Sequence, residues 1–264
     1  MDFDAEGACQ HFSIIPRRGM KDFLLIDTTF RGAAAGLARI DSGGEVDLRF
    51  CRFFSEVGGS AEGVFSILKE VLQGANHTFQ SLDGIAVTVG PGSFTGIKIG
   101  ISLVQGIVRG IAQPHCPSVV SASTLLAYQR GIGAENVAII MPCTRTHGFL
   151  GFHNQSKFKE LCFDLHSFGV LDNAEAQKAE LSRIDLLASW PEFVKQNPLK
   201  TLLLRESIAC LEVQRTILMG MARIVASGEG SWQCLEPNYL RLSTAEEARN
   251  RSATLGKGRE IEIV

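Results

Sequence analysis

Leu82–Ala112 reads LDGIAVTVGPGSFTGIKIGISLVQGIVRGIA, and its parts constrain one another. Ile85-Ala86-Val87-Thr88-Val89 has the near-continuous apolar character of a strand buried on both faces. It runs into Gly90-Pro91-Gly92 and then into a long helix whose N-cap falls on Ser93 or Thr95. Strand, glycine turn and helix N-terminus is how α/β proteins offer backbone N–H groups to an anion. It is equally how they turn a tight corner. Gly90, Gly92 and Gly96 are spaced G-x-G-x-x-x-G, one residue longer than the dinucleotide fingerprint, and no Gly-Lys-Ser/Thr follows for a P-loop. Both readings of the turn stay open. In the first, Gly90, Gly92, Ser93 and Thr95 are the phosphate contacts.

The helix after the turn carries more apolar surface than one sheet needs. At about 100° per residue, Lys98, Ser102, Gln105 and Arg109 share one narrow polar stripe. Ile97, Ile101, Val104, Val108 and Ile111 make a bulky face. Gly96, Gly100, Gly106 and Gly110, with Leu103 and Ile107, make a flatter one. A surface helix needs an apolar stripe only a little over about 100° wide. Each of the four glycines weakens the helix by about 1 kcal/mol relative to alanine. Two packings account for them: burial wholly within the helix's own domain, or close approach of a second backbone. An earlier helix, capped at Ser60 with Glu62 in its first turn, has a full stripe at Val64, Ile67, Leu68, Val71 and Leu72, with Phe65 beside it. Under the second packing the two helices offer a partner interface of Val64, Phe65, Leu68, Val71, Leu72, Gly96, Gly100, Leu103, Ile107 and Gly110. A side chain added at Gly100 is then expected to point away from the domain's own core.

Composition narrows the class. The 264 residues are 45% hydrophobic and 20% charged, with a formal net charge of −2. That is a globular composition with no general basic surface for nucleic acid. The seven cysteines are odd in number and scattered, with no C-x-x-C, so reduced thiols are expected in place of a disulfide framework or zinc site. No apolar run reaches membrane-spanning length and no signal-peptide pattern opens the chain, so a soluble, cytoplasmic protein with no membrane contact is expected.

In order along the chain, residues 1–19 show no period and are read as a dispensable extension. Residues 20–117 read β-β-β-α-β-α. Phe23–Ile26 is a buried strand closed by Asp27-Thr28-Thr29, Ala33–Ile40 is a second strand, and Ser42-Gly43-Gly44 turns into an alternating third one. A boundary is expected after Pro114-His115-Cys116-Pro117. Residues 118–242 repeat the pattern less regularly. Strands are expected at Ser118–Val120, Val137–Met141, Gly148–Phe152, Phe158–Leu165 and Thr201–Leu204. Helices are expected from Ser123 or Thr124 through Tyr128, over Asn173–Leu187, and over Ile208–Ala226. Residues 243–264 are a charged tail. The fold class expected is α/β, with mixed sheets and flanking helices in two domains.

Four stretches together carry a family resemblance. They are Ile26-Asp27-Thr28-Thr29, then Gly90-Pro91-Gly92-Ser93-Phe94-Thr95-Gly96-Ile97-Lys98-Ile99-Gly100, then Ser123-Thr124-Leu125, then Pro237-Asn238-Tyr239-Leu240-Arg241. In order and separation this set resembles the TsaB (YeaZ) family, densely in the first half of the chain. The resemblance implies the actin/Hsp70/sugar-kinase (RNase H-like) fold with two domains. It implies a part in making threonylcarbamoyladenosine in tRNA, as the non-catalytic, degenerate relative of the TsaD transferase. It implies a heterodimer with a TsaD-type subunit, a TsaE-type ATPase as further partner, a homodimer when alone, and tRNA contact only through the complex. No cofactor is required of such a subunit; the alternative is a nucleotide-binding enzyme with its own ATP or ADP site between the two domains, at Asp27, Thr28 and the Gly90–Thr95 turn, with Arg145 as a further candidate. The sequence departs from many relatives where Cys143-Thr144-Arg145 stands in place of Asp-Ala-Arg.

Other chemistry finds little support. TsaD-like proteins hold a metal with two histidines four apart, and alignment through Leu125 puts Thr124 and Tyr128 at those positions, so no such metal site is expected. His147 and His153 are six apart, and there is no H-E-x-x-H. Ser93 is read as a cap and not as a nucleophile, because no G-x-S-x-G elbow surrounds it. Asp27 either faces metal-bound phosphate, as in the fold's kinases, or caps its own turn through Thr28 and Thr29.

Overall fold

The computed structural model describes residues 19–54, 61–111, 116–154, 157–165, 181–196, 203–205, 208–232 and 235–240. The expected extension up to residue 18, residues 173–180 of the helix expected over Asn173–Leu187, and the charged tail lie outside the described residues.

The chain runs β1 (Lys21–Asp27), β2 (Ala33–Ile40), β3 (Val46–Phe54), α1 (Ala61–Gly74), β4 (Gly84–Thr88), α2 (Phe94–Gly110), β5 (Ser118–Ala122), α3 (Thr124–Ile132), β6 (Val137–Pro142), β7 (His147–Asn154), β8 (Lys157–Asp164), β9 (Arg183–Leu186), α4 (Pro191–Gln196), β10 (Leu203–Arg205), α5 (Cys210–Ser227) and β11 (Ser231–Trp232). These strands form two sheets, ordered β11-β5-β4-β1-β2-β3 and β10-β9-β6-β7-β8. Apart from β11, the two have one plan. An antiparallel meander (β1-β2-β3; β6-β7-β8) is extended from its first strand by two parallel strands. Mixed sheets with flanking helices are thus present, as the sequence pattern predicts.

Two assignments change. Arg183–Leu186, expected as the end of a helix, is a strand, because it pairs in register with β6 and its Ile184, Asp185 and Leu186 are buried. β5, expected in the second half, lies in the first sheet beside β4, and β11 pairs on its far side. Neither β11 nor α4 is signalled by sequence period; at two and six residues each is too short for one.

The packing follows from strand alternation. One face of the first sheet (Leu24, Ile26, Ala35, Leu37) meets α1 and α2. The other (Phe23, Leu25, Ala34, Ala38) meets α3 and α5, which also take Val137, Ile139 and Met141 of the second sheet. The outer face of the second sheet is closed by Trp190 and Phe193 of and beside α4. The helix pair α3/α5 is therefore the central layer between the sheets. Its backbones touch at glycines: a Cβ on Gly220 would overlap the Ala127 carbonyl, and one on Gly131 would overlap that of Thr216. None of the five described cysteines, Cys51, Cys116, Cys143, Cys162 and Cys210, is in a disulfide.

Candidate functional site

The ends of β1 and β4 bring the strand-end triplet and the glycine turn together. Asp27 is wholly buried. Its Oδ1 accepts from the Thr29 N–H (3.0 Å), the Thr29 hydroxyl (2.6 Å) and the Thr88 hydroxyl (2.6 Å). Its Oδ2 has no hydrogen-bond partner. Burial pushes this carboxyl above the ordinary carboxylate value, against the hydrogen bonds from Thr29 and Thr88 that favour the ion. The Thr29 hydroxyl also meets that of Thr124 at 2.8 Å, linking β1 to the first turn of α3.

The glycine turn is stitched on every side. Ser93 donates its N–H to the Thr29 carbonyl (2.8 Å), Thr124 donates to the Gly90 carbonyl (2.8 Å) and Asn238 donates to the Val89 carbonyl (2.7 Å). Gly90 sits at φ 109°, and a Cβ there would come within 2.7 Å of the Asn238 carbonyl oxygen. Gly92 is at φ 158°, where a Cβ would lie 2.5 Å from the Thr29 carbonyl oxygen. Both positions need glycine for close approach of the chain to itself. Ser93 caps α2 by accepting from the Gly96 N–H at 3.2 Å, and Thr95 is exposed beside it. Thr28 points the other way, its hydroxyl donating to the Gly96 carbonyl at 2.7 Å.

This geometry corrects the assignment of helix faces. A Cβ on Gly100 would overlap the Thr28 hydroxyl oxygen, and one on Gly96 would overlap the Thr28 carbonyl. The small face of α2 near its start is thus reserved for its own strand end. Val64, Leu68, Val71 and Leu72 are buried in the core that α1 shares with the first sheet, so they are not an outward stripe. Phe65 is half-buried and stacks on Phe79 at 6.2 Å. Leu103, Ile107 and Gly110 do lie on the outward side. Leu103 and Ile107 are half-buried, and a Cβ on Gly106 or Gly110 would meet nothing within 4 Å. Ile99, one turn before Leu103 and also half-buried, completes that stripe; the period-3.6 signal includes it, although it is absent from the expected interface.

The remaining candidates are structural in their contacts. Thr124 bonds Thr29, and the Tyr128 hydroxyl donates to buried Asp185 at 3.2 Å, so both positions aligned with metal ligands are engaged within the fold. Among the described residues no group of three or more His, Cys, Asp or Glu is placed to hold a metal ion. The exposed Cys143-Thr144-Arg145 turn joins β6 to β7 and is pinned by the Trp190 indole donating to the Arg145 carbonyl at 2.8 Å. His147 pairs with Asp164 across β7 and β8 at 3.3 Å. His153 is buried, its Nδ1 2.7 Å from the Gln129 amide nitrogen, which is also 3.3 Å from the Glu135 carbonyl. That amide donates to both, so Nδ1 is an acceptor and the ring is neutral. Burial lowers the His153 pKa below its ordinary 6.5, with Glu135 acting weakly the other way. The neutral ring's contribution is whole above pH 6.5 and declines as pH falls through the lowered folded value. His153→Asn, which keeps an acceptor near Nδ1, is expected to flatten that acid-side loss in urea titrations at a series of pH values; an unchanged slope would assign the loss elsewhere.

One constellation has no counterpart in the sequence reading. Glu160, on β8, accepts from the Ser123 hydroxyl with one oxygen and from the Asn238 side-chain amide (2.9 Å) with the other. Burial pushes its carboxyl up, against those two bonds. Ser123, already the N-cap of α3, and Asn238 line a cavity of about 290 Å³ together with Ser121, Ala122 and Ile224. Both residues belong to the short runs that carry the family resemblance, but spacing gives no hint that Glu160 joins them.

Known proteins place this geometry. A family model described as tRNA N6-adenosine threonylcarbamoyltransferase TsaD matches residues 60–142, the stretch from α1 through β6. The tRNA threonylcarbamoyladenosine biosynthesis protein TsaB of Escherichia coli is 29% identical over 75 residues, which is 28% of this chain and 31% of that protein. The TsaB protein of Buchnera aphidicola is 37% identical over 60 residues, 23% of this chain and 26% of its own length. The aligned stretches thus span under a third of these relatives. The solved structure of YeaZ from Pseudomonas aeruginosa superimposes with a TM-score of 0.59 over 83% of this chain and 100% of that one, at 22% identity, so it shares the two-sheet fold. The TsaB matches and the fold shared with YeaZ, together with the four quoted runs, support the TsaB/YeaZ family for this chain.

Proposed function

We propose that this chain is a non-catalytic subunit of the machinery that makes threonylcarbamoyladenosine in tRNA, and that it binds and activates a TsaD-type transferase through the outward face of α2. The observation that carries this reading is the stripe Ile99, Leu103, Gly106, Ile107 and Gly110. It is apolar, with Ile99, Leu103 and Ile107 partly exposed beside two exposed glycines where the surface is flat, so a second helix can approach closely. The TsaD-type family model matches this chain across α1 and α2. Two proteins that share those helices can pair them about an approximate twofold axis, and a second copy of this chain can use the same face when the transferase is lacking. A TsaE-type ATPase and tRNA then meet the pair and not this chain alone.

Gly106→Glu, at an exposed position where an added Cβ meets nothing within 4 Å, is expected to weaken binding to a purified TsaD-type protein at least tenfold, about 1.4 kcal/mol, without lowering the melting temperature. Wild-type affinity in that variant would remove α2 from the interface. Gly100→Leu, which fits the original face assignment, is instead expected to destabilise the chain itself because of Thr28. The competing reading is a nucleotide-binding enzyme using Asp27, Thr28 and the Gly90–Thr95 turn. The buried Asp27 and the stitched turn favour the subunit. ATP turnover by the purified chain that disappears in Asp27→Asn would reverse that preference.

A further inference from the structure

The segment 235–240 crosses the mouth between the two sheets, and one residue in it touches both. The Asn238 main chain lies on the first sheet, its N–H bonded to the Val89 carbonyl at 2.7 Å just past β4. Its side chain reaches the second sheet, donating to Glu160 on edge strand β8 at 2.9 Å. Through the other Glu160 oxygen it reaches the Ser123 hydroxyl, and so the start of α3. Next along the chain, the Tyr239 ring packs on Phe94, the first residue of α2, at 4.8 Å, while the Lys98 ammonium lies 4.0 Å from the Phe94 ring centre. The segment's ends are anchored on opposite sides of the first sheet: Leu235 packs with the core under α1 and α2, Leu240 with the central core. Behind it lies the cavity of about 290 Å³, of which Glu236 and Asn238 form one wall.

We propose that residues 235–240 are a latch between the two sheets, pinned at Asn238, whose release opens the cavity and frees the glycine turn. Three features distinguish a latch from a strand-like tie. Its polar contacts to the two sheets meet at one residue, Asn238, whose side chain carries the bridge to β8, beside the apolar anchors at Leu235, Tyr239 and Leu240. They join elements that are otherwise far apart in sequence, Val89, Glu160 and Ser123. The turn beneath admits the segment only because residue 90 has no Cβ, so the fit is built from both sides. Losing the Asn238 side chain removes the bridge to β8 while leaving the main-chain bond to Val89 and the helix pair α3/α5 in place. Opening is therefore local, about the central layer.

The test uses a reporter thiol introduced by Ser121→Cys, at a cavity-lining position only 7% exposed. Its rate of alkylation by N-ethylmaleimide is read by peptide mass, with half-buried Cys210 at the far end of α5 as internal reference. Adding Asn238→Ala is expected to speed alkylation at position 121 at least tenfold with the Cys210 rate unchanged. Asn238→Asp, which sets a second carboxylate against Glu160 and keeps the side-chain size, is expected to do at least as much. A change below twofold at position 121 in a variant that folds, or acceleration in step with Cys210, overturns the latch. The Asp variant serves the same purpose if the Ala variant does not fold.

Discussion

Gly220→Ala is expected to lower stability by about 3 kcal/mol or more, the largest effect of a Cβ added at any of the described glycines. A Cβ at position 220 would overlap the Ala127 carbonyl and lie 2.7 Å from the Gly131 nitrogen. The obstacle is main chain and not the end of a flexible side chain, so relief requires α3 and α5 to move apart. That movement is resisted from both sides, because the pair is the central layer and holds Leu125, Tyr128, Leu218 and Met221 fully buried between the sheets. For a chain of this size the expected fall in melting temperature is about 6–12 °C. In urea the midpoint should drop with the slope unchanged. Gly106→Ala is the control: it is also in a helix, a Cβ there meets nothing within 4 Å, and a gain of about 0.5–1 kcal/mol is expected from helix propensity alone. Equal effects at the two positions would mean that the close helix crossing is wrong.

Asp27→Ala is expected to remove about 2–4 kcal/mol, because it strands the donors that Asp27 now satisfies. Those are the Thr29 N–H and hydroxyl and the Thr88 hydroxyl, all buried. The same residue has a pH signature. Burial holds its folded pKa above the ordinary 3.8, so the fold accommodates the neutral acid better than the ion. Its contribution is whole below pH 3.8 and is lost as pH rises through the raised folded value. Asp27→Asn is neutral at every pH and keeps an acceptor for the three donors. Measured by urea titration, its stability relative to wild type is expected to improve as pH rises from about 4 toward neutrality. A difference that stays constant with pH, or that moves the other way, would show that Asp27 is ionised in the fold and that the orphaned Oδ2 has a partner.

The two effects differ in how far the sequence announces them. The position of Asp27 at a strand end is legible, because short apolar runs closed by Asp-Thr-Thr and by Gly-Pro-Gly read as buried strands that end there; that the two ends lie side by side comes from the pairing of β1 with β4. Strand and helix identity through Gly110 follows from local rules of burial period, and capping rules narrow the N-caps to Ser93 or Thr95 and Ser123 or Thr124, of which the structure uses Ser93 and Ser123. The four motif runs carry the resemblance to the TsaB/YeaZ family. In each case the signal is contained within about ten neighbouring residues, which is the range over which period and propensity act.

What needed the tertiary structure is every choice between two faces or two partners. Nothing local distinguishes Gly100 from Gly110 on α2; one lies against Thr28, 72 residues earlier in the chain, and the other meets open space. The α1 stripe has the same period whether it meets its own sheet or another protein, and the first sheet takes it. Arg183–Leu186 becomes a strand because β6 offers it a parallel edge, and β5 joins the first sheet because β4 does the same. Glu160 and Asn238 meet across 78 residues, with no spacing to announce it. Local patterning determines which elements exist and which side of each is apolar; which neighbour covers that side is decided by long-range packing, since burial free energy depends on area removed from water and not on whose atoms remove it.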